Sequence, residues 1–78
     1  MPAQSEITES ARIKQMLRTL KAGDRVRGTL RASSSVVGAF GDVLDPEPFQ
    51  SDGVRRIKVQ WDNGRVSNHL PASIEEAR

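Results

Sequence analysis

The chain has 78 residues, 36% of them hydrophobic and 28% charged, with a formal net charge of +2. That length holds one small domain and excludes a two-lobed enzyme with a cleft between lobes. The absence of cysteine and the single histidine exclude disulfides, thiolate metal sites, cysteine nucleophiles and a histidine-rich zinc centre within one chain.

No apolar run approaches the roughly 18 residues of a membrane span. Met1-Pro2-Ala3-Gln4-Ser5-Glu6 carries neither the basic nor the apolar block of a signal peptide. The expectation is therefore a cytoplasmic protein with no membrane partner, no metal and no cofactor.

Residues 1–5 are expected to be disordered, and residues 6–22 form an amphipathic helix. Ser5 or Thr8 can cap it, and Glu6 and Glu9 sit in its first turn, where the helix dipole favours anions. Gly23 stands in the place of a left-handed C-cap. Ile13, Met16, Leu17 and Leu20 recur at helical spacing, with Ile7 leading the stripe. Such a stripe either packs on its own domain or pairs two copies of the chain.

After Gly23 the pattern changes to short strands and turns, and 23–78 is expected to form the rest of the domain. Asp24 to Leu30 alternates, with Val26, Gly28 and Leu30 on one face and Arg25, Arg27 and Thr29 on the other. Arg31 to Ser35 is a polar loop. Val36 to Leu44 is a second strand region, and Gly38 and Gly41 suggest a bulge or bend near Phe40. The prolines of Asp45-Pro46-Glu47-Pro48 make a loop through Gly53.

Arg56 to Leu70 reads as a hairpin around Asn63-Gly64, the preferred pair for a type I′ turn. That turn sets Trp61 opposite Val66, Lys58 opposite His69 and Ile57 opposite Leu70. Ile57, Val59, Trp61, Val66 and Leu70 then form the core face. Arg56, Lys58, Gln60, Arg65, Ser67 and His69 form the polar face. Trp61 is expected to anchor the core. Pro71 breaks the strand, and Ala72 to Ala77 supplies a last turn or a short closing strand through Ile74.

One helix followed by about five short strands, with glycine-marked bends, is the pattern of a mainly β protein: a small SH3-like five-stranded barrel preceded by the helix. A flatter sheet packed under the helix is the competing architecture. Gly23-Asp24-Arg25-Val26-Arg27, Lys58-Val59-Gln60-Trp61 and the run from Asn68-His69-Leu70 to Glu76 together resemble the small barrels of electron-transport accessory chains, such as the variable chain of ferredoxin–thioredoxin reductase. In layout the chain is also similar to the type II plasmid dihydrofolate reductases. The first resemblance implies a barrel that covers a larger protein partner. The second implies a pore lined by a valine–glutamine–isoleucine–tyrosine run. The matching stretch here, Val66-Ser67-Asn68-His69, keeps only the valine.

Charge is unevenly placed. Residues 45–53 hold Asp45, Glu47 and Asp52 and no cation, whereas residues 54–69 hold Arg55, Arg56, Lys58 and Arg65 against Asp62. A basic hairpin beside an acidic loop would be a dipolar surface. Neither Glu75 with Glu76 nor Asp45 with Glu47 suggests a catalytic pair with separated pKa values. Ser33-Ser34-Ser35 lacks a nucleophile elbow, and no catalytic triad is assembled from one histidine. The expectation is a non-catalytic accessory or regulatory module. Its candidate contact residues are Arg25, Arg27, Arg56, Lys58, Arg65 and His69, and its partner is a protein. The alternative is weak, sequence-blind nucleic-acid binding through the same cations, without stacking aromatics. A homo-oligomer through Ile13, Met16, Leu17 and Leu20 is the remaining partner class.

Overall fold

The computed structural model describes residues 2–77, with side chains from Glu9 onward. The elements are α1 (Pro2–Thr19), β1 (Arg25–Gly28), β2 (Phe40–Asp45), β3 (Ile57–Trp61), β4 (Val66–His69), a 3₁₀ turn (Pro71–Ser73) and β5 (Ile74–Glu76). The protein is mainly β, with five antiparallel strands in a single sheet of order β4-β3-β2-β1-β5. Among the described residues the edge strands β4 and β5 do not pair with each other.

α1 starts within the stretch expected to be disordered and ends before residue 22. The expected caps Ser5 and Thr8, with Glu6 and Ile7, lie outside the described side chains. The Asp24 carboxylate accepts the Lys21 N–H at 3.0 Å, and the Gly23 N–H donates to the Val43 carbonyl at 2.7 Å, tying the helix exit to β2.

The stripe of α1 turns inward. Met16 and Leu20 are buried, Leu17 packs beside them, and the helix rests on β5 and the 3₁₀ turn. An oligomer through Ile13, Met16, Leu17 and Leu20 would therefore compete with the protein's own core for its two most buried members. Val26, Val36, Val43, Ile57, Val59, Trp61 and Ile74 complete that core. Every strand but β4 supplies it with a buried apolar side chain.

Two strand expectations shift. β1 ends at Gly28, where Thr29 turns its hydroxyl onto the Ala72 carbonyl at 2.7 Å, so Leu30 projects into solvent, 92% exposed. The irregularity in β2 falls between Val43 and Asp45 rather than near Phe40.

The larger correction concerns the hairpin. Of the Asn63-Gly64 pair only Gly64 has positive φ (+90°), so Asn63 does not adopt the left-handed conformation that a type I′ turn requires. The loop instead holds Asp62, Asn63 and Gly64: the Trp61 N–H donates to the Arg65 carbonyl and the Gly64 N–H to the Trp61 carbonyl, each at 2.8 Å. This is the three-residue hairpin with glycine in its left-handed position. One extra loop residue slips β4 by one against β3, giving Gln60 opposite Val66, Val59 opposite Ser67, Lys58 opposite Asn68 and Ile57 opposite His69. A slip of one exchanges the two faces of a strand. Val66 and Leu70, expected in the core, are about half exposed, while Ser67 and His69 turn inward.

The indole explains why this register is stable. Trp61 is 2% exposed and must find an acceptor for its N–H. Ser67 Oγ at 3.0 Å and His69 Nε2 at 3.1 Å provide it. With Val66 and Leu70 inward, that donor would be buried without a partner.

Candidate functional site

The two edges of the sheet are treated differently, and the ladder shows how. Trp61 and Arg65 form a hydrogen-bonded pair, so by alternation Ser67 and His69 spend their backbone groups on β3. The N–H and C=O groups of Val66 and Asn68 then point away from the sheet, and among the described residues nothing bonds to them. The Leu70 carbonyl, next in that series, accepts the Ser73 N–H at 2.9 Å.

On the other edge, α1 lies against β5 and the outward backbone groups of Ile74 are covered. The Ile74 N–H is used by the Pro71 carbonyl, its own carbonyl accepts from the Arg12 guanidinium at 3.3 Å, and Thr19 reaches the Glu76 carboxylate at 3.3 Å. A helix over an edge is a common protection against strand pairing, and so are lysine and proline within it. β4 (Val66-Ser67-Asn68-His69) has none of these.

A groove of about 380 Å³ lies beside β4. Val36, Ser33 and Ser35 of the β1–β2 loop line it on one side, Trp61, Ser67 and His69 form its inner side, and Arg65 and Val66 complete it. The polar side chains there bond to one another: Ser67 Oγ is 2.6 Å from His69 Nε2, and the Trp61 and His69 rings meet edge to face with centroids 5.1 Å apart. An indole N–H only donates, so Nε2 must be the unprotonated acceptor. Burial acts in the same direction, pushing His69 below the ordinary histidine value.

A serine bonded to a histidine resembles part of a hydrolase triad. Catalysis also needs a group that orients the base through its second nitrogen. Among the described residues no carboxylate bonds to His69, and its lowered basicity weakens it as a proton acceptor. The arrangement satisfies the indole and shapes the groove.

The pH dependence follows. An unfolded chain takes up the His69 proton near pH 6.5 and the folded chain only at lower pH, so the unfolded state binds more protons in that interval. Stability is complete above about pH 6.5 and falls as pH drops toward the folded value, below which the loss levels off. Thermal melts at pH 7.5 and 5.0 are expected to show a lower Tm at the acid value. In His69→Gln that difference should shrink, and an unchanged difference would assign the pH dependence to other groups.

The six candidate contact residues, five cations and His69, do not share one face. Arg25, Arg27 and Lys58 lie on the exposed face of the sheet. Arg65 borders the turn, Arg56 precedes β3, and His69 lies on the opposite face. Three of the five basic side chains are held by carboxylates. Arg25 makes two bonds to Asp62, at 2.7 and 2.5 Å, and one to Asp42 at 3.3 Å, while its guanidinium lies 5.7 Å from the Phe40 ring centroid. The bonds from Arg25 hold the Asp62 carboxyl below its usual range. Arg27 pairs with Glu75 at 2.7 Å.

Arg56 turns into the β2–β3 loop, onto Gln50 at 2.6 Å and Asp52 at 3.0 Å. Beside it Arg55 grips the Pro46 carbonyl at 2.8 Å and Glu47 at 3.5 Å. The acidic loop and the basic pair next to it thus neutralise each other, and the expected dipolar surface is largely cancelled. Lys58 and Arg65 are exposed and have no acidic partner among the described residues.

The residues that sequence reasoning missed are Ser67 and the backbone of Val66 and Asn68. Their one signal is Asp62-Asn63-Gly64, which fits a three-residue loop as readily as a two-residue one. No family model matches this chain, and a search of curated proteins and of solved structures finds no match.

Proposed function

We propose that the chain is a non-catalytic accessory or regulatory module of SH3-like architecture that docks on a protein partner by accepting an extended segment along β4. The open backbone of Val66 and Asn68, beside a groove and on a sheet whose other edge is covered, carries this reading. An added strand takes affinity from main-chain hydrogen bonds and specificity from alternate side chains. The five-strand order, the bulge in β2 and the 3₁₀ turn ahead of β5 support the SH3-like assignment. The ion pairs of Arg25, Arg27 and Arg56 favour a protein over a nucleic acid, since tracking phosphates needs several cations free of carboxylates.

Asn68→Pro tests the reading. Proline is tolerated on an edge strand where the N–H faces solvent, so the fold should survive while one docking donor is removed. A nuclease-treated extract of the source cells, passed over immobilised wild-type and Asn68→Pro protein, is expected to leave a protein on the first that is missing or strongly depleted on the second. Equal retention on a folded variant would remove β4 from the docking surface.

A further inference from the structure

We propose that the segment accepted by β4 places one side-chain carboxylate in the groove, against Arg65, with uncharged residues at its other groove-facing positions. This rests on the reading of β4 as the docking edge, and it follows from what the inner face of an added strand would meet.

Arg65 stands opposite Trp61 across the hairpin, so its side chain falls on the same face as the indole, Ser67 and His69, and it lines the groove. The nearest acid in the chain, Asp62, is held by Arg25 through bonds of 2.7 and 2.5 Å. The Arg65 backbone N–H donates to the Asn63 side chain at 2.9 Å, and among the described residues no carboxylate pairs with its guanidinium.

An antiparallel segment added to β4 would bond to the outward backbone of Val66 and Asn68. The residues it sets opposite Arg65, Ser67 and His69 would then form the non-hydrogen-bonded pairs, whose Cα atoms approach to about 4.5 Å. Partners in such a pair share a face. The residue opposite Arg65 therefore carries its side chain into the groove beside the guanidinium. A terminal carboxylate would not reach it, because a chain end continues the line of the backbone at the sheet edge.

The groove itself sets the charge at one. Of the side chains lining it only Arg65 and His69 titrate, and the imidazole is neutral because its Nε2 accepts the indole N–H. One positive charge balances a carboxylate, whereas a phosphate monoester, at about −1.5 to −2, would be left partly uncompensated. The planar guanidinium can meet a carboxylate with two parallel bonds. Ser33 and Ser35 line the same groove with Oγ atoms 3.2 Å apart. Each hydroxyl has one hydrogen, so one is used between them and the other remains for an acceptor. Opposite Ser67 and His69 the polar groups already bond to one another, and a charge there would be desolvated without a partner.

A second copy of the chain is the poorer occupant. Pairing the same edge would set residues 65–70 of one copy against those of the other, and that run contains no carboxylate. Arg65 of each copy would keep no counter-charge.

The test is selection of a random-peptide display library on the intact protein, with folded Asn68→Pro as the counter-selection. Recovered peptides are synthesised with amidated C-termini and titrated against wild type, Arg65→Gln and Lys58→Gln. The expected peptides need Asn68 and share one Asp or Glu. Replacing that residue by Asn or Gln is expected to weaken binding to wild type about tenfold and to leave binding to Arg65→Gln unchanged. Lys58→Gln, altered on the outer face of β3, should bind as wild type. Four results would overturn the carboxylate assignment and leave the docking edge standing: no shared acid, an acid whose effect is independent of Arg65, an equal loss in Lys58→Gln, or binding only when the terminal amide is replaced by a free carboxylate. Peptides that bind Asn68→Pro as well as wild type, or no enrichment at all, would overturn both readings. Concentration-dependent dimerisation abolished by Asn68→Pro would give the edge to a second copy and likewise overturn the proposal.

Discussion

Gly28→Ala is expected to lower stability by about 3 kcal/mol and Tm by about 15 °C, although it adds a single methyl group. A Cβ at this position would lie 2.0 Å from the Val36 carbonyl oxygen and 2.9 Å from its carbon. Both atoms are backbone, so no rotamer change relieves the clash. Relief requires the β1–β2 loop to lift from β1. That movement would strain the Gly28 N–H to Ala39 bond and the Gly38 N–H to Gly28 bond, each 2.9 Å long. It would also draw Val36, 7% exposed, out of the core. A chain of this size is stable by roughly 4–12 kcal/mol in all, so the variant is expected to be partly unfolded at moderate temperature. Gly53→Ala is the control. No atom lies within 4 Å of its Cβ, and only the positive φ of +72° opposes it, at about 1 kcal/mol. Urea melts of the two variants should differ clearly, and equal losses would mean that the loop yields at Gly28 without effect on the core.

That close approach was not legible in the chain, because Gly28 looks like any other small residue in an alternating strand. The parts that were legible depend on periodicity. The stripe of Met16, Leu17 and Leu20 marked the inner face of α1, and the alternation of Ile57, Val59 and Trp61 marked the buried side of β3, because each pattern reports directly which face is covered. β4 lacks such a pattern. Val66 and, just past its end, Leu70 are the apolar residues there, and hydrophobicity alone turns them inward. The actual register follows from a loop longer by one residue and from the need of an indole N–H for an acceptor. The scattering of the cationic face has a similar origin. Arg25 lies 37 positions from Asp62, and Arg27 lies 48 from Glu75. Nothing local announces partners that only the sheet order brings together.

Trp61 links the fold to the groove, and Trp61→Ala is expected to be the most damaging single substitution on β3. Truncating a buried tryptophan costs about 3–5 kcal/mol, a large part of what a chain of this size has to lose. Here the loss has two components that Trp61→Phe separates. Phenylalanine keeps most of the ring's packing against the core but deletes the N–H. Ser67 Oγ and His69 Nε2 remain bonded to each other at 2.6 Å, so neither is orphaned, and the cost should be about 1–2 kcal/mol. Adding Ser67→Ala completes a cycle. If the indole bond is what holds β4 in its register, the Phe substitution should lose much of its effect once Ser67 is gone. The edge offers a second readout. The Trp61–Ser67 bond fixes β4 side-on to β3, so weakening it should raise hydrogen exchange at Ser67 and His69, whose N–H groups face β3, before it affects Val26 or Val43 at the sheet centre. Uniform acceleration across all five strands would mean that Trp61 supports the core as a whole and that the hydrogen bonds beneath the groove contribute little to the shape of the β4 edge.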